Sequence, residues 1–306
     1  MRCCVTGGAG FIGSHLTDKL CTLGHEVLVL DNLSGGNLSF VHPKAKFVEM
    51  DIRDEKVEEV FRDFGVEVVF HLAAQTMVNL SMTEPKFDAD VNVLGLINVL
   101  EACRKTGVKK VITPSSAAVY GDLPTLPLEE SMQVKPLSFY GLTKWMMESY
   151  LRIYAEQFGL SYACFRYSNV YGPRQGQGGE GGVISIFVKH VVQGLPLTVF
   201  GDGQQTRDFI YVDDVVEANM AALEQPSVQG VFNVSTSAAV SVNDLIHTLE
   251  EITGKSCSVK YLEEREGDIR HSLLFNAKIR REYGWSPSVS LLEGLRSTYQ
   301  YFLEQA

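Results

Sequence analysis

The chain has 306 residues, 45% hydrophobic and 21% charged, the proportions of an ordinary globular protein with material for a normal core in one large domain or two modest ones. Its formal net charge of −10 argues against nucleic acid or an anionic membrane as the main partner, while leaving room for a small anion held by backbone dipoles and single arginines. No apolar run approaches the ~20 residues of a membrane helix, an apolar strand starts within two residues of Met1 and leaves no room for a signal peptide, and the six cysteines (3, 4, 21, 103, 164 and 257) fit neither C-x-x-C nor zinc spacing, so we expect a cytoplasmic protein with reduced thiols and no metal.

In chain order, "RCCVTGG" is a short apolar run ending in glycine, and "GSHLTDKLCTLG" reads as a helix stopped by Gly24. "EVLVLD" and "KFVEMD" are strands, "EKVEEVFRDFG" a helix and "VEVVFHLAA" a buried strand. "FDADVNVLGLINVLEACRKTG" reads as one long helix ending at Gly107, followed by the strand "KKVITPSS", the helix "YGLTKWMMESYLRIYAEQFG" and the strand "SYACFRYSNV". Nearly wholly apolar strands alternating with helices predict an α/β fold: a doubly wound parallel sheet covered on both faces.

Past Tyr171 the texture changes. A glycine-rich loop, "GPRQGQGGEGG" (172–182), has the composition of a mobile loop. A helix near 183–193, a strand "LTVFGDG", and a strand running into a helix across "TRDFIYVDDVVEANMAALEQ" follow. The tail mixes the strand "CSVKYL" with helices near 242–253, 276–283 and 290–304. We expect a first domain over 1–171 and a smaller α/β lobe over 172–306, with segments near 206–224 and 230–236 returning to the first.

"VTGGAGFIGSHL" puts Gly7, Gly10 and Gly13 between a strand and a helix. A dinucleotide site needs glycine there for the tight turn, for approach of the pyrophosphate and for helix–strand packing, and the helix N-terminus supplies N–H groups. Alone the match is weak, since a glycine turn can bind nothing. Asp31 ends the next strand eighteen residues after Gly13, placed to bond the adenosine ribose hydroxyls. No Arg or Lys follows in "DNLSGGN" to meet a 2′-phosphate, which favours NAD over NADP. "MDI" ends the strand after that, where Asp51 and Ile52 can flank adenine.

"TPSSAAVYG" brings Ser115 and Ser116 to a strand end, where hydroxyls face the ligand crevice of a parallel sheet or simply terminate the strand. Tyr140 and Lys144 lie four apart and share a helical face. An ammonium near a phenol stabilises phenolate and lowers its pKa, which makes Tyr140 a general base near neutral pH.

The glycine turn, Asp31, "HLAAQ", Asn92, "SSAAVYG", "YGLTK" and "RYSNVYGPRQ" occur in the order found in extended short-chain dehydrogenases/reductases. Over essentially the whole chain the sequence resembles their NAD-dependent sugar epimerase/dehydratase branch, nearest to UDP-glucose (UDP-galactose) 4-epimerases. The resemblance implies a Rossmann-type sheet with a smaller C-terminal substrate-binding lobe, and bound NAD. It makes Tyr140 the base, Lys144 the partner of the nicotinamide ribose and Ser116 the catalytic hydroxyl. It assigns NAD contacts to Gly7, Phe11, Ile12, Asp31, Asn32, Asp51, Ile52, Leu72, Ala73, Ala74 and Asn92, and sets Tyr167 beside the nicotinamide. Phe139 stands where the family has proline and Pro114 where a small residue is usual, which we expect to shift loop geometry without removing a functional group.

The resemblance further gives Asn169 to the nucleotide-sugar phosphate, Phe200 to uracil, Arg207 to the diphosphate, and Arg265 and Asp268 of "REGD" to diphosphate and ribose. An arginine's planar fork suits phosphate oxygens, although a single arginine is more often a solvated charge. Ala117 and Ala118 follow Ser116 where dehydratase and decarboxylase relatives carry acids, which favours 4-epimerisation of a UDP-hexose through a 4-keto intermediate. Ser272, four residues after Asp268, occupies a position that a bulky residue closes in relatives restricted to sugars without N-acetyl groups. It implies room for UDP-N-acetylglucosamine beside UDP-glucose, unless the pocket is limited elsewhere. The rival readings are a UDP-glucuronate 4-epimerase, a non-catalytic NAD-binding regulator, and a scaffold acting through a homodimer of helices near 87–106 and 140–158.

Overall fold

Alternation along the first strand, β1 (Arg2–Thr6), sets the architecture: Cys3 and Val5 enter one hydrophobic core and Cys4 another, all fully buried. The computed structural model describes residues 1–176, 181–265 and 267–306, so part of the glycine-rich 172–182 loop lies outside the described residues. β1 is flanked by β2 (Glu26–Asp31) and β4 (Val68–His71), with β3 (Lys46–Glu49) beyond β2 and β5 (Lys110–Ser116), β6 (Ser161–Tyr167) and β11 (Gly230–Val234) beyond β4. All six pairings of this seven-stranded sheet, ordered β11-β6-β5-β4-β1-β2-β3, are parallel. The strand order reverses between β1 and β4, the place where α/β sheets open a ligand crevice.

One core holds the helices Phe11–Thr22, Val212–Glu224 and Ala277–Tyr283, and the other holds Val57–Phe64, Gly95–Thr106 and Phe139–Phe158. Several helices stop where the sequence predicts: Gly65, Gly107 and Gly159 each take a left-handed C-cap. The helix expected to run unbroken to Gly107 is three pieces: Pro85–Ala89, a π-turn over Asp90–Leu94, and Gly95–Thr106. The turn inserts where Asn92 is drawn inward to pair with the backbone of Gln75. A short helix, Val78–Thr83, was not read in the sequence.

The remaining strands, β7 (Asn169–Tyr171), β8 (Leu197–Phe200), β9 (Thr206–Arg207), β10 (Phe209–Tyr211), β12 (Val240–Ser241) and β13 (Val259–Leu262), pair in three short sheets. They join the helices Val183–Gln193, Val242–Thr253 and Leu291–Glu304 around a third core that includes Phe187, Val199, Leu245 and Leu295. β11 carries the chain back to the main sheet beside β6.

Candidate active site

Gly7 leaves β1 with φ +71°, and a Cβ there would lie 2.6 Å from the backbone N of Ala73. A Cβ on Gly13 would lie 2.1 Å from the Gly7 carbonyl oxygen, so the first helical turn rests directly on the loop. Gly10 caps the helix Phe11–Thr22 without a side chain, leaving its first N–H groups and positive dipole end to a ligand. Phe11 and Ile12 are half-buried in that turn and pack toward the C-terminal core. Asp31, buried at the end of β2, accepts from the Ala9 N–H at 3.0 Å and the Leu33 N–H at 2.8 Å. A turn without Cβ atoms, an uncapped helix start and a carboxylate at the adjoining strand end together fit a dinucleotide.

Asn32 donates to Asp51 at 2.8 Å, and Asp51 also takes the Arg53 Nε and Nη2 groups at 2.8 Å each. The Arg53 guanidinium holds the Asp51 carboxyl far below the usual range. Ile52 is buried against Gly95. Leu72, Ala73 and Ala74 run past the Gly7 turn, with Leu72 N–H bonded to the Thr6 carbonyl at 3.0 Å and Ala73 N–H to Thr6 Oγ1 at 3.3 Å. Asn92, which the resemblance assigns to NAD, is buried and bonded within the protein. Its Oδ1 accepts from Gln75 N–H at 2.9 Å, and its Nδ2 donates to the Gln75 carbonyl at 3.0 Å and to Asp88 at 3.2 Å, so it braces the 72–77 segment. Asp88 is fully buried, and it also accepts from Gln75 at 2.6 Å and Thr143 at 2.8 Å. This network was missed because its members come from separate segments.

The helix Phe139–Phe158 starts on Ser138, whose Oγ accepts from Gly141 N–H at 3.1 Å. Gly141 presses on the turn that follows β5, where a Cβ would meet the Ala118 carbonyl at 2.6 Å. Phe139 is the first helical residue and exposed, a position where proline is favoured because its missing N–H is unbonded anyway, so Ser138 sets the helix start with either residue. Pro114 is tolerated because β5 pairs with β4 only as far as Ile112, leaving one flank free beyond it. Ser116 ends β5, and its Oγ accepts from Ala118 N–H at 3.1 Å.

Tyr140 is half-buried, and Lys144 lies beneath it, almost fully buried, with Nζ 5.8 Å from the Tyr140 ring centre and 3.3 Å from the Pro114 carbonyl. Burial pushes the Tyr140 phenol up, a hydrogen bond with Ser116 draws it down, and Asp88 raises it further. Desolvation dominates at the phenol, where the lowering expected from Lys144 does not figure among the causes, and burial likewise brings Lys144 down to about 8. Tyr167, expected beside the nicotinamide, turns its ring into the core, stacked on Phe165 at 6.4 Å between centres, with its hydroxyl bonded by Asn219 at 2.7 Å.

A cavity of about 610 Å³ opens in the C-terminal lobe and gathers Asn169, Phe200, Arg207, Arg265 and Asp268. The Arg265 guanidinium lies 3.8 Å from the Phe200 ring centre, so one face of the proposed uracil platform already carries a cation. Arg207 is half-buried and donates to the carbonyls of Thr206 at 2.8 Å and Arg270 at 3.3 Å, and desolvation lowers its pKa. Ser272 stands outside this cavity lining, with its N–H bonded to the Thr206 carbonyl at 3.2 Å. Sequence reasoning missed three further lining residues, Ile186, Phe187 and His190, whose helical spacing reads equally well as core. Among the described residues no group of three or more His, Cys, Asp or Glu side chains could hold a metal ion, and no helix is long and apolar enough to cross a membrane. Five cysteines are buried and Cys257 half-buried, all as free thiols.

The model of the NAD dependent epimerase/dehydratase family matches residues 3–235. The chain is similar to a UDP-glucose 4-epimerase of Thermotoga maritima solved with UDP-glucose, at 44% identity and TM-score 0.96, covering 100% of this chain and 99% of that one. A UDP-glucose 4-epimerase of Thermus thermophilus in complex with NAD is 41% identical with TM-score 0.93, each chain covered to 99%. A UDP-N-acetylglucosamine 4-epimerase of Methanobrevibacter ruminantium, solved with UDP-N-acetylmuramic acid, is 36% identical with TM-score 0.95, covering 100% and 99% of the two chains.

Proposed function

The chain belongs to the NAD-dependent epimerase/dehydratase family, and we propose that it interconverts UDP-glucose and UDP-galactose by inverting C4 of the hexose through a 4-keto intermediate. The observation that carries this reading is the meeting of Ser116, Tyr140 and Lys144 at the carboxyl edge of the sheet, with no acid at Ala117 or Ala118 to divert a ketone into elimination or decarboxylation.

When bound, NAD takes the C4 hydride and returns it to the other face of the ketone. Gly7, Gly10, Gly13, Asp31 and the 72–74 segment hold it, the helix start at Phe11 facing its pyrophosphate. Tyr140 removes the O4 proton and gives it back on reduction, with Ser116 hydrogen-bonding the same oxygen. Lys144 supplies positive charge beneath the phenol. Arg207, Arg265 and Asn169 grip the diphosphate and Phe200 the uracil, so that affinity resides in the nucleotide while the hexose turns. Residues 1–171 thus form the NAD-binding domain and 172–306 the sugar-nucleotide lobe, with β11 returned to the main sheet.

Although Ser272 stands outside the lining of the nucleotide cavity, its small side chain at the position the resemblance singles out supports extending the substrate range to UDP-N-acetylglucosamine. Incubation of the protein with UDP-glucose, UDP-N-acetylglucosamine and UDP-glucuronate, with products identified by NMR, tests the assignment. C4-inverted sugars from the first two are expected. Inversion of UDP-glucuronate alone would move the assignment to the acid sugar, and no inversion of any would leave the regulator reading standing.

The protein acts as a homodimer in the cytoplasm, joined through the faces of Pro85–Thr106 and Phe139–Phe158 that expose Phe87, Leu94, Trp145, Met146, Ile153 and Phe158. Sedimentation equilibrium tests this: twice the chain mass is expected, and a stable monomer at micromolar concentration would refute it.

A further inference from the structure

Tyr140, Lys144 and Glu148 follow one another at intervals of four on the helix Phe139–Phe158, and each meets a different residue of the end of β5. Tyr140 bonds Ser116, Lys144 donates to the Pro114 carbonyl at 3.3 Å, and Glu148 Oε1 accepts from Ser115 Oγ at 2.6 Å. The reaction proposed above uses the first two rungs and leaves the third unassigned.

Glu148 is not a surface anchor. Its side chain and that of Arg166 are each only 6% exposed. Oε1 takes Arg166 Nε at 2.9 Å and Oε2 takes Nη2 at 2.7 Å, a bidentate pair. Arg166 stands on β6 directly opposite Ser115, and the next register pair is Ser116 with Tyr167. Its guanidinium also lies over the Tyr120 ring at 4.7 Å, and the Tyr120 hydroxyl donates to Asn233 of β11 at 2.7 Å. One carboxylate therefore ties the helix to β5 and β6 at the edge that bears Ser116, and through Arg166 and Tyr120 the contact chain extends to β11. A buried ion pair is a poor source of stability relative to apolar side chains of the same size. What this one does supply is a fixed register between the Tyr140 face of the helix and the Ser116 end of the strand.

We propose that Glu148 is a positioning residue for the reaction, holding Ser116 against the Tyr140 phenol through Ser115 and Arg166. The inference rests on the roles given above to Tyr140 and Ser116. The other groups acting on the pair are Asp88 on the phenol, and Asp88, His71 and Cys164 around Lys144. None of them reaches Ser116 by a hydrogen bond of its own.

The test compares holoenzyme carrying Glu148→Gln or Ser115→Ala with the unchanged protein, measuring kcat and KM for UDP-glucose across pH, bound NAD by absorbance, and thermal stability. Glu148→Gln should lower kcat about tenfold or more, since small misplacements at a reacting centre are costly, with KM changed by less than about twofold. The acid limb of kcat should move to higher pH, because the Ser116 bond that favours phenolate is loosened. Ser115→Ala, which leaves both charges paired, should shift kcat and the limb the same way by a smaller factor, and it carries the test should Glu148→Gln fail to fold. A folded variant with lowered thermal stability but unchanged kcat and pH limb would overturn the positioning role. If the unchanged protein inverts no sugar, the proposed reaction fails instead, so the two failures are distinguishable.

Discussion

Lys144 Nζ lies 5.8 Å from the centre of the Tyr140 ring and bonds the Pro114 carbonyl, so the ammonium sits below the phenol and is tied to the strand that ends in Ser116. Burial raises the phenol and lowers the ammonium to about 8, so desolvation moves the two protonation equilibria apart and favours the neutral form of each. A base and a cation buried side by side are expected at a proton-transfer centre. Tyr140→Phe should therefore keep NAD bound and lose about 10³-fold in kcat, the scale of a general base. Survival of turnover in that variant would remove Tyr140 from the mechanism.

The Gly13 position tolerates no side chain, because a Cβ would stand 2.1 Å from the Gly7 carbonyl oxygen. Gly13→Ala must push the helix Phe11–Thr22 off the turn. We expect loss of copurifying NAD and a destabilisation of about 1–3 kcal/mol, the usual cost of overpacking, read by absorbance and urea unfolding. Unchanged NAD content would show that the turn does not carry the pyrophosphate.

Much of this was legible in the chain because its signals are local. The Gly7–Gly13 turn, the Asp31 strand end and the Tyr140/Lys144 spacing each lie within one element or one loop, and periodicity placed the helices up to their glycine caps. What stayed hidden comes from separate segments. Asp88, Gln75 and Thr143 read as ordinary polar residues until folding closes them around Asn92. The π-turn at Asp90–Leu94 leaves the apolar period of its helix nearly intact, so the pattern read as one helix. The burial of the Tyr167 ring against Phe165 was likewise not legible, because its motif position does not say which face of the sheet the strand turns it to.

The 610 Å³ cavity predicts where binding energy resides. Arg207→Met should weaken UDP binding by roughly 10- to 100-fold, the loss of a charged hydrogen bond to phosphate, with a smaller effect on kcat than on KM. Isothermal titration with UDP measures this directly. Equal affinity in the variant would move the diphosphate away from Arg207.

His71 ends β4 fully inside the protein, its Nδ1 2.9 Å from Thr6 Oγ1, and burial with the nearby Lys144 charge pulls its pKa down to about 3. The unfolded chain binds that proton near pH 6.5 and the folded one does not, so His71 contributes stability that is present above about 6.5 and lost as pH falls from 6.5 toward 3. The slope is about 1.4 kcal/mol per pH unit. His71→Asn should therefore lose about 2 kcal/mol less than the unchanged protein between pH 7 and 5, as read by urea unfolding at the two pH values. Parallel acid sensitivity of the two proteins would contradict a buried neutral imidazole.

In the proposed cycle one hydride leaves C4 and returns to it within a single site. UDP-glucose deuterated at C4 tests this most directly, with the product examined by proton NMR in ordinary water. UDP-galactose that keeps its deuterium at C4 is expected. Product carrying hydrogen from solvent at that carbon would mean that C4 exchanges as a proton, and would contradict the hydride cycle assigned to Ser116, Tyr140 and Lys144.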